Sequence, residues 1–304
     1  MNMKLKKTNI ILSCFVLLVL LVPLNNISAM EIKDQLNRKI HLPKQIKKIV
    51  SLAPSITEII YALGVEDLLV GVTQYSDYPA AASSLPKVGS YVHLDLERII
   101  ALKPDLCIAT RDGNPLTTIE RLEIMKIPVY AVDPRNLETI IQTILELGHL
   151  LKAEKKADFL AANMLSRILK IKNIISCTQH RTRLFFQIGI SPIVSAGSPT
   201  FINELIELAG GENLARGPAA YPRFSKEKVI SLAPEVIIIT SMARSTVFEK
   251  VKAEWNRWPD LPAVKQQRIY LEDSNLFDRP TPRLVDGLEL LAKLLHPELF
   301  ENIK

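Results

Sequence analysis

The stretch Leu96–Thr110, LERIIALKPDLCIAT, combines a predicted helix and a predicted buried strand in one short segment. Its first half has apolar residues at the spacing of one helix face. Lys103-Pro104-Asp105 ends that helix, because proline cannot continue it. Leu106–Ala109 is then a continuous apolar run, which is typical of a strand buried on both faces. The stretch therefore predicts a helix–proline–strand unit of an α/β fold.

A second copy of this unit occurs at Ser225–Thr240, SKEKVISLAPEVIIIT. Glu97 aligns with Glu227 and Pro104 with Pro234, and both pairs have the same offset along the chain. Two copies at one offset favour two similar lobes, and the ligand site of such a protein usually lies in the cleft between them. The alternative is that helix–loop–strand units look alike in any α/β protein.

The order of predicted elements divides the chain into three parts. Residues 46–151 alternate strands and helices and form a predicted N-terminal α/β lobe, in which Ser55 and Glu58 resemble a capping box. Residues 152–176 contain no proline or glycine and predict a single long helix. Residues 180–304 form a second α/β lobe. We therefore expect two similar Rossmann-like lobes joined by one long helix, unless that helix simply packs within one lobe.

The segment from Met1 to Ala29 differs from the rest of the chain. Three lysines precede the uncharged apolar run Ile10–Val22, and small residues follow as far as Ala29. This order predicts a secretory signal peptide, residues 1–29, and an exported mature protein. The alternatives are an uncleaved anchor, for which the run is short, and lipidation at Cys14, although the apolar run continues well beyond that residue.

Charge gives no indication of a nucleic-acid partner. The formal net charge is +6, and removal of the three signal-peptide lysines leaves +3. The sequence has no run of basic residues interleaved with aromatic ones, as a nucleic-acid surface would require. With 48% hydrophobic and 23% charged residues, the composition is that of an ordinary globular protein. We expect a monomer with a small-molecule ligand.

Catalytic and metal-binding motifs are absent from the sequence. There is no GxSxG, HExxH, Walker or strand-linked GxGxxG motif, and the histidines are scattered without metal-ligand spacing. Cys107 lies within a predicted strand, so a disulfide with Cys177 is disfavoured. We therefore expect neither an enzyme nor a bound metal or cofactor.

Aromatic and polar residues collect in the loops that follow predicted strands. In open α/β sheets, these carboxyl-end loops meet the ligand. Aromatic faces with a few polar groups suit a large, flat, partly apolar ligand better than a bare ion or a phosphate. The candidate residues are Tyr75, Tyr91, Arg111, Tyr221, Asn275, Phe277, Asp278 and Arg279.

Several motifs between about Ile49 and Leu295 are similar to one known family. The sequence resembles the periplasmic substrate-binding proteins of bacterial ABC importers that bind cobalamin, haem or ferric siderophores. YSDYP and FDRPTPR resemble the cobalamin-binding members most narrowly. The matching segments are YSDYP at 75–79, LERIIALKPDLCIATRDGN at 96–114, FQIGISP at 186–192, GGEN at 210–213, FSKEKV at 224–229 and FDRPTPR at 277–283.

The resemblance implies a class III periplasmic binding protein that holds cobalamin or a related corrinoid between its lobes. It would deliver the ligand to an ABC importer permease dimer and its ATPase subunits. By the same resemblance, Tyr75 lies against the corrin, and the loop Asn275–Arg279, which includes Leu276, touches the ligand. Glu97 and Glu227 match two surface glutamates, one per lobe, that dock onto the permease.

Two further implications concern the ligand. By the resemblance, Tyr91 and Tyr221 stand where the cobalamin-binding members have tryptophans, and tyrosine keeps the stacking face.

The alternative ligands are haem, which would need an axial ligand such as Tyr75, Tyr91 or Tyr221, and a ferric siderophore, which would need cations such as Arg111. A two-lobed metalloenzyme is disfavoured because cysteine and histidine clusters are missing.

Overall fold

The computed structural model of the protein describes residues 30–240 and 246–301. The predicted signal peptide, residues 1–29, lies outside this range. Two β-sheets, one parallel and one mainly parallel, with helices packed against them account for most of the described chain, and one long helix lies between them in sequence. Within the described ranges, the longest and most apolar helices still fall short of what spanning a bilayer requires.

The N-terminal half begins with an antiparallel hairpin and continues as a four-stranded parallel sheet in the order β4-β3-β5-β6. Short connections join β3, β5 and β6 to the next helix, whereas a long segment separates β4 from α2. Its elements are β1 Met30–Lys33, β2 Lys39–Leu42, β3 Ile49–Ser51, α1 Pro54–Leu63, β4 Leu69–Gly71, α2 Leu96–Ala101, β5 Leu106–Thr110, α3 Leu116–Ile124, β6 Val129–Val132 and α4 Leu137–Leu150.

The C-terminal half follows α5, Glu154–Ile175, and contains a six-stranded sheet. Four of its strands are parallel, and β8 and β10 extend it in antiparallel fashion. Its elements are β7 Thr182–Gly189, β8 Ile193–Ser195, α6 Phe201–Leu208, β9 Gly211–Asn213, β10 Arg223–Phe224, α7 Lys226–Ser231, β11 Val236–Ile239, α8 Thr246–Trp255, α9 Pro262–Lys265, β12 Ile269–Leu271, α10 Ser274–Phe277 and α11 Leu284–Leu295.

The parallel strands of the two sheets have the same spatial order. In the first sheet the order is β4-β3-β5-β6, and in the second it is β9-β7-β11-β12. When the parallel strands of each sheet are numbered along the chain, the second strand comes first in space, followed by the first, the third and the fourth. This shared doubly wound order, which is typical of ligand-binding α/β sheets, confirms the predicted pair of similar lobes.

The sequence repeat extends to the backbone of both copies. Asp95 and Ser225, which occupy equivalent positions of the repeat, are the N-caps of α2 and α7, and each side chain accepts a hydrogen bond from the third backbone N–H of its helix. Lys103 and Ala233, a second equivalent pair, adopt positive φ angles of 49° and 46° between the helix and the proline. The two copies are therefore equivalent in backbone geometry as well as similar in sequence.

A carboxylate after each proline fixes the start of the following strand. Asp105 accepts hydrogen bonds from the backbone N–H groups of Lys47 and Lys48, at 2.8 and 2.9 Å. Glu235 accepts one from the backbone N–H of Arg183 at 3.0 Å. Both carboxylates therefore attach the third parallel strand of their sheet to the start of the first.

Helix α5 contacts helices from both halves, which supports its predicted role as the connector. Its buried residues follow a helical spacing, and this face belongs to a hydrophobic core that contains residues of both sheets. At the edge of this face, Arg167 pairs with Asp286 and Glu289 of α11 at 2.6 and 2.8 Å. The lobe boundaries at residues 151 and 180 stay predictions.

One local prediction for the first lobe is wrong. Helix α1 begins at Pro54, with Ala53 at the N-cap position and no side-chain cap. Proline is already suited to the first helical position, because it lacks the N–H that a cap would satisfy. Ser55 therefore lies inside the first turn, and Glu58 makes ion pairs with the other lobe in place of a capping box.

Candidate functional site

A cavity of about 460 Å³ lies between the two lobes. Its volume is in the usual range for small-molecule sites. The first lobe contributes residues that follow β3, β4, β5 and β6, and the second lobe contributes the segment after β12, the loop before β10 and parts of β7 and α6. The lining residues are Ala53, Pro54, Ser55, Tyr91, Thr110, Asp112, Gly113, Asp133, Pro134, Ile188, Phe201, Ile202, Tyr221, Ser274, Asp278, Arg279 and Pro280.

On the first lobe, a buried asparagine holds the wall formed by Tyr91. The side chain of Asn114 donates to the carbonyls of Tyr91 and Leu52 at 2.7 and 2.8 Å and accepts from the backbone N–H of Thr110 at 2.8 Å. Gly113 has φ +107°, and a Cβ added there would collide with the ring of Tyr91. The position of Tyr91 thus depends on a glycine that combines a left-handed backbone with close approach.

On the second lobe, Asp278 brings a carboxyl group to the cavity. Thr240 donates a hydrogen bond to Asp278 Oδ1 at 3.2 Å. The pKa of Asp278 is raised to about 7, chiefly by burial and to a smaller extent by the charge of Asp273, whereas the hydrogen bond from Thr240 and the charge of Arg279 lower it. Near neutral pH this group therefore changes between a hydrogen-bond donor and an anionic acceptor.

The two tyrosines that line the cavity are kept protonated. Burial raises the pKa of Tyr91, and the charge of Asp278 raises it further. Partial desolvation raises the pKa of Tyr221, whose side chain is half exposed, and the charges of Asp112 and Asp278 raise it further. Each phenol therefore offers an aromatic face and a neutral hydroxyl to a ligand.

The arginines predicted for the site are already paired with carboxylates. Arg111 Nη1 lies 3.0 Å from Asp133 Oδ2, and Arg135 also pairs with Asp133, at 2.9 Å. Arg279 is buried, and its partners come from the opposite lobe. Its Nη1 pairs with Glu58 at 2.7 Å, and its Nη2 lies 3.1 Å from Asp77 Oδ1.

The Arg279 network ties the two lobes together behind the cavity. Arg279 Nη2 also donates to the carbonyl of Tyr75 at 2.9 Å. The second oxygen of Glu58 accepts from Arg283 Nε at 2.9 Å, and the guanidinium of Arg283 lies 3.6 Å from the ring centre of Tyr78. One buried glutamate therefore joins two arginines of the other lobe.

The structure brings some of the predicted residues together and separates others. Tyr91, Tyr221, Asp278 and Arg279 line the cavity. Tyr75 has an exposed side chain at 43% and is outside the cavity lining, as are Arg111, Asn275 and Leu276.

The prediction that Phe277 faces the ligand disagrees with the structure. Phe277 is fully buried, and its ring packs edge-on against Phe186 with ring centres 5.5 Å apart. Helix α10 turns this side chain into the core, because a large apolar group gains most free energy there.

Other residues of the site were missed by sequence reasoning. Ser55 and Glu58 were interpreted as a helix cap. The place of Ser55 in the cavity lining and the ion pairs of Glu58 with the other lobe were therefore missed. Asp112 and Asp133 follow strands β5 and β6, so the rule that ligands meet strand-exit loops could have selected them. Ile188, Phe201 and Ile202 carried no signal that distinguished them from core residues.

The two repeated glutamates lie on the outer surface. Glu97 and Glu227 are exposed and occupy the first turns of α2 and α7. Hydrogen bonds from its own backbone N–H and from Ser225 lower the pKa of Glu227. Each lobe thus presents an exposed glutamate at the equivalent position.

Over residues 30–240 and 246–301, no cluster of three or more histidine, cysteine or acidic side chains is arranged to hold a metal ion. Cys107 is buried and Cys177 is exposed, and both are free thiols. Burial raises the pKa of Cys107 to about 12. A buried thiol of this kind behaves as a small apolar side chain.

The comparison with known proteins places the chain in a family. The sequence profile of the family described as periplasmic binding protein matches residues 49–276. The chain belongs to the periplasmic binding protein family. This membership confirms the family expected from the motifs around the repeated helix–proline–strand unit.

Individual members of the periplasmic binding protein family show how close the likeness is. The vitamin B12-binding protein of Vibrio parahaemolyticus is 34% identical over 260 residues, which cover 85% of this chain and 91% of that protein. The periplasmic vitamin B12-binding protein BtuF of Vibrio cholerae superposes with a TM-score of 0.74 at 29% identity, covering 84% of this chain and 99% of that one.

A haem-binding member of the same family is as similar in fold. The periplasmic haem-binding protein RhuT of Roseiflexus sp. RS-1 superposes with a TM-score of 0.75 at 26% identity, covering 84% of this chain and 100% of that one. The two superpositions confirm the predicted fold class. Because they are equally good, the fold alone does not choose between the two tetrapyrroles, and the residues of the cleft must do so.

Proposed function

We propose that the protein is the substrate-binding component of an ABC importer and captures cobalamin or a related corrinoid in the cleft between its lobes. The observation that carries this proposal is the charge of the cavity. Tyr91 and Tyr221 supply aromatic faces, and Asp112, Asp278 and Asp133, which is paired with two arginines outside the lining, supply carboxyl groups. Among the described residues that line the cavity, Arg279 is the sole cation, and the opposite lobe neutralises it.

This lining fits the periphery of a corrin. A corrin carries neutral amide side chains, which donate hydrogen bonds to carboxylates and accept them from hydroxyl groups. Haem carries two propionates, and many ferric siderophores are anionic. An added carboxylate would be repelled by Asp112 and by the ionised form of Asp278, and such repulsion is strong where water is excluded.

The tyrosines provide a second argument against haem. A tyrosine that binds ferric iron must lose its proton, but the surroundings of Tyr91 and Tyr221 raise the pKa of both phenols. Cyanocobalamin carries both of its axial ligands and requires none from the protein. A protonated phenol suits stacking and hydrogen bonding to such a ligand.

We assign delivery of the ligand to the repeated glutamates. Glu97 and Glu227 would each contact one subunit of a two-fold permease dimer, which in turn works with its ATPase subunits. Similar contacts from two equivalent positions fit a symmetric partner. The proposed location is the periplasm, reached by way of the signal peptide of residues 1–29, and the proposed state is a monomer.

Calorimetric titration with cyanocobalamin and with haemin tests the ligand. We expect saturable one-to-one binding of cyanocobalamin and at least tenfold weaker binding of haemin. Tyr91→Ala should weaken cyanocobalamin binding by about tenfold, since a stacked ring contributes roughly 0.5–1.5 kcal/mol beyond its buried area. Phe159→Ala, an exposed ring on α5, is the matched control. Saturable haemin binding without any cyanocobalamin heat would reject the proposal.

A further inference from the structure

Arg279 has the chemistry of a carboxylate receptor. It lies in the cavity lining, it is buried, and guanidinium groups bind carboxylates in a bidentate manner more strongly than neutral acceptors. An unpaired arginine at this position would favour ligands with carboxylate side chains. Whether Arg279 is already paired within the protein therefore affects which tetrapyrroles the cleft accepts.

Both terminal nitrogens of Arg279 are committed within the protein. Nη1 donates to Glu58 Oε1 at 2.7 Å and to Asp77 Oδ1 at 3.1 Å. Nη2 donates to the carbonyl of Tyr75 at 2.9 Å and to Asp77 Oδ1 at 3.1 Å. A ligand carboxylate could gain a bidentate contact only by displacing these partners.

The two masking carboxylates stand outside the cavity. Neither Glu58 nor Asp77 lines it, and Glu58 is buried. Glu58 also balances Arg283, at 2.8 Å. Two carboxylates thus offset two guanidinium groups. Because Asp133 is also paired, with Arg111 and Arg135, Asp112 and the ionised form of Asp278 are left to set the sign of the potential that a ligand meets.

We propose that Glu58 and Asp77 are specificity-determining residues, which mask the guanidinium of Arg279 and so exclude carboxylate-bearing ligands from the cleft. The inference rests on the proposed function and adds the source of its charge selectivity. Glu58 and Asp77 act through Arg279 and do not touch the ligand. Replacement of either carboxylate by an amide should change the preference of the protein between neutral and anionic ligands more than its affinity for a neutral ligand.

Asp77→Asn tests the inference with little disturbance, because asparagine has nearly the same shape, keeps one acceptor oxygen and removes the negative charge. The probes are cyanocobalamin and its monocarboxylic acids, in which one peripheral amide has been hydrolysed to a carboxylate. In the wild-type protein, we expect the acids to bind at least tenfold more weakly than cyanocobalamin. We call the ratio of the dissociation constant of an acid to that of cyanocobalamin the gap. In Asp77→Asn, this gap should fall by about tenfold for at least one acid, which is the effect of one charge at short range.

Three further variants make the result specific. Glu58→Gln should narrow the same gap. Adding Arg279→Gln to Asp77→Asn should restore it, which a purely structural role of Asp77 would not explain. Asp286→Asn removes a carboxylate from the Arg167 pair on α11, outside the cavity lining, and should leave the gap unchanged.

The inference and the proposed function fail in different ways. Absence of cyanocobalamin binding to the wild-type protein would reject the proposed function, and the effect of masking would then be read from the change in haemin affinity in Asp77→Asn. A gap that stays the same in both Asp77→Asn and Glu58→Gln, in folded proteins, would overturn the inference.

Discussion

Replacement of Glu58 by glutamine should destabilise the protein strongly, because it removes a buried charge and replaces one of two acceptor oxygens by an NH2 donor. Glu58 pairs with Arg279 at 2.7 Å and with Arg283 at 2.8 Å, and the side-chain exposures of the three residues are 3%, 9% and 17%. Solvent therefore screens these charges weakly. In Glu58→Gln, both guanidinium groups lose a carboxylate, and Arg279 retains Asp77 as a charged partner.

The magnitude follows from the burial of the ion pairs. Removal of one partner from a buried pair costs about 3–5 kcal/mol, because the remaining charge stays desolvated without compensation. At about 2–4 °C per kcal/mol for a chain of this size class, the melting temperature should fall by roughly 10 °C. This loss belongs to the contact between the lobes, since each pair joins α1 to the segment after β12.

Thermal unfolding followed by circular dichroism measures the effect, with Glu289→Gln as the control. Glu289 and Arg167 are each 29% exposed, and Arg167 keeps its contact with Asp286. The control should therefore cost less than about 1 kcal/mol. Equal losses for the two variants would refute the argument that Glu58 is a buried anchor between the lobes.

Three other predictions concern the cleft and the outer surface. Asp278→Asn should stabilise the unliganded protein at pH 8 but not at pH 4, as measured by urea unfolding. The raised pKa of Asp278 gives stability that is complete below about pH 4 and lost as the pH rises through about 7. Gly113→Ala should displace Tyr91 and weaken ligand binding by at least tenfold, as measured by calorimetry. Glu97→Ala combined with Glu227→Ala should abolish stimulation of the importer ATPase, with ligand affinity unchanged.

Each of these predictions has a contradicting result. A pH-independent effect of Asp278→Asn would mean that its carboxyl group titrates alike in the folded and unfolded protein. Wild-type affinity in Gly113→Ala would show that Tyr91 can move without loss of the ligand. Full ATPase stimulation by the double glutamate variant would show that Glu97 and Glu227 are not needed for contact with the permease.

The lobes could be predicted because their signal is local. The helix–proline–strand unit occupies consecutive residues, and its second copy differs by a constant offset, so a short window contains the whole pattern. The caps at Asp95 and Ser225 and the positive φ angles at Lys103 and Ala233 show that the repeated letters encode repeated geometry. Tyr91 and Tyr221 were found because both lie in loops at the cleft.

The contacts between the lobes could not be predicted from local pattern. Glu58 and Arg279 are 221 residues apart, and within its own helix Glu58 resembles a capping residue. The direction of Phe277 was missed for a related reason, since the short helix α10 turns adjacent side chains to different sides. Asp278 meets the cavity while Phe277 enters the core, a distinction that depends on the packing of Phe186.

Competition between two tetrapyrroles for one cleft tests the central claim most directly. The purified protein is equilibrated with equimolar cyanocobalamin and haemin, separated from free ligand by gel filtration and analysed for bound cobalt and iron. The charge of the cavity, with Arg279 masked and Asp112 exposed to the ligand, predicts about one cobalt per chain and little iron. One iron per chain with no cobalt would contradict the assignment of the ligand.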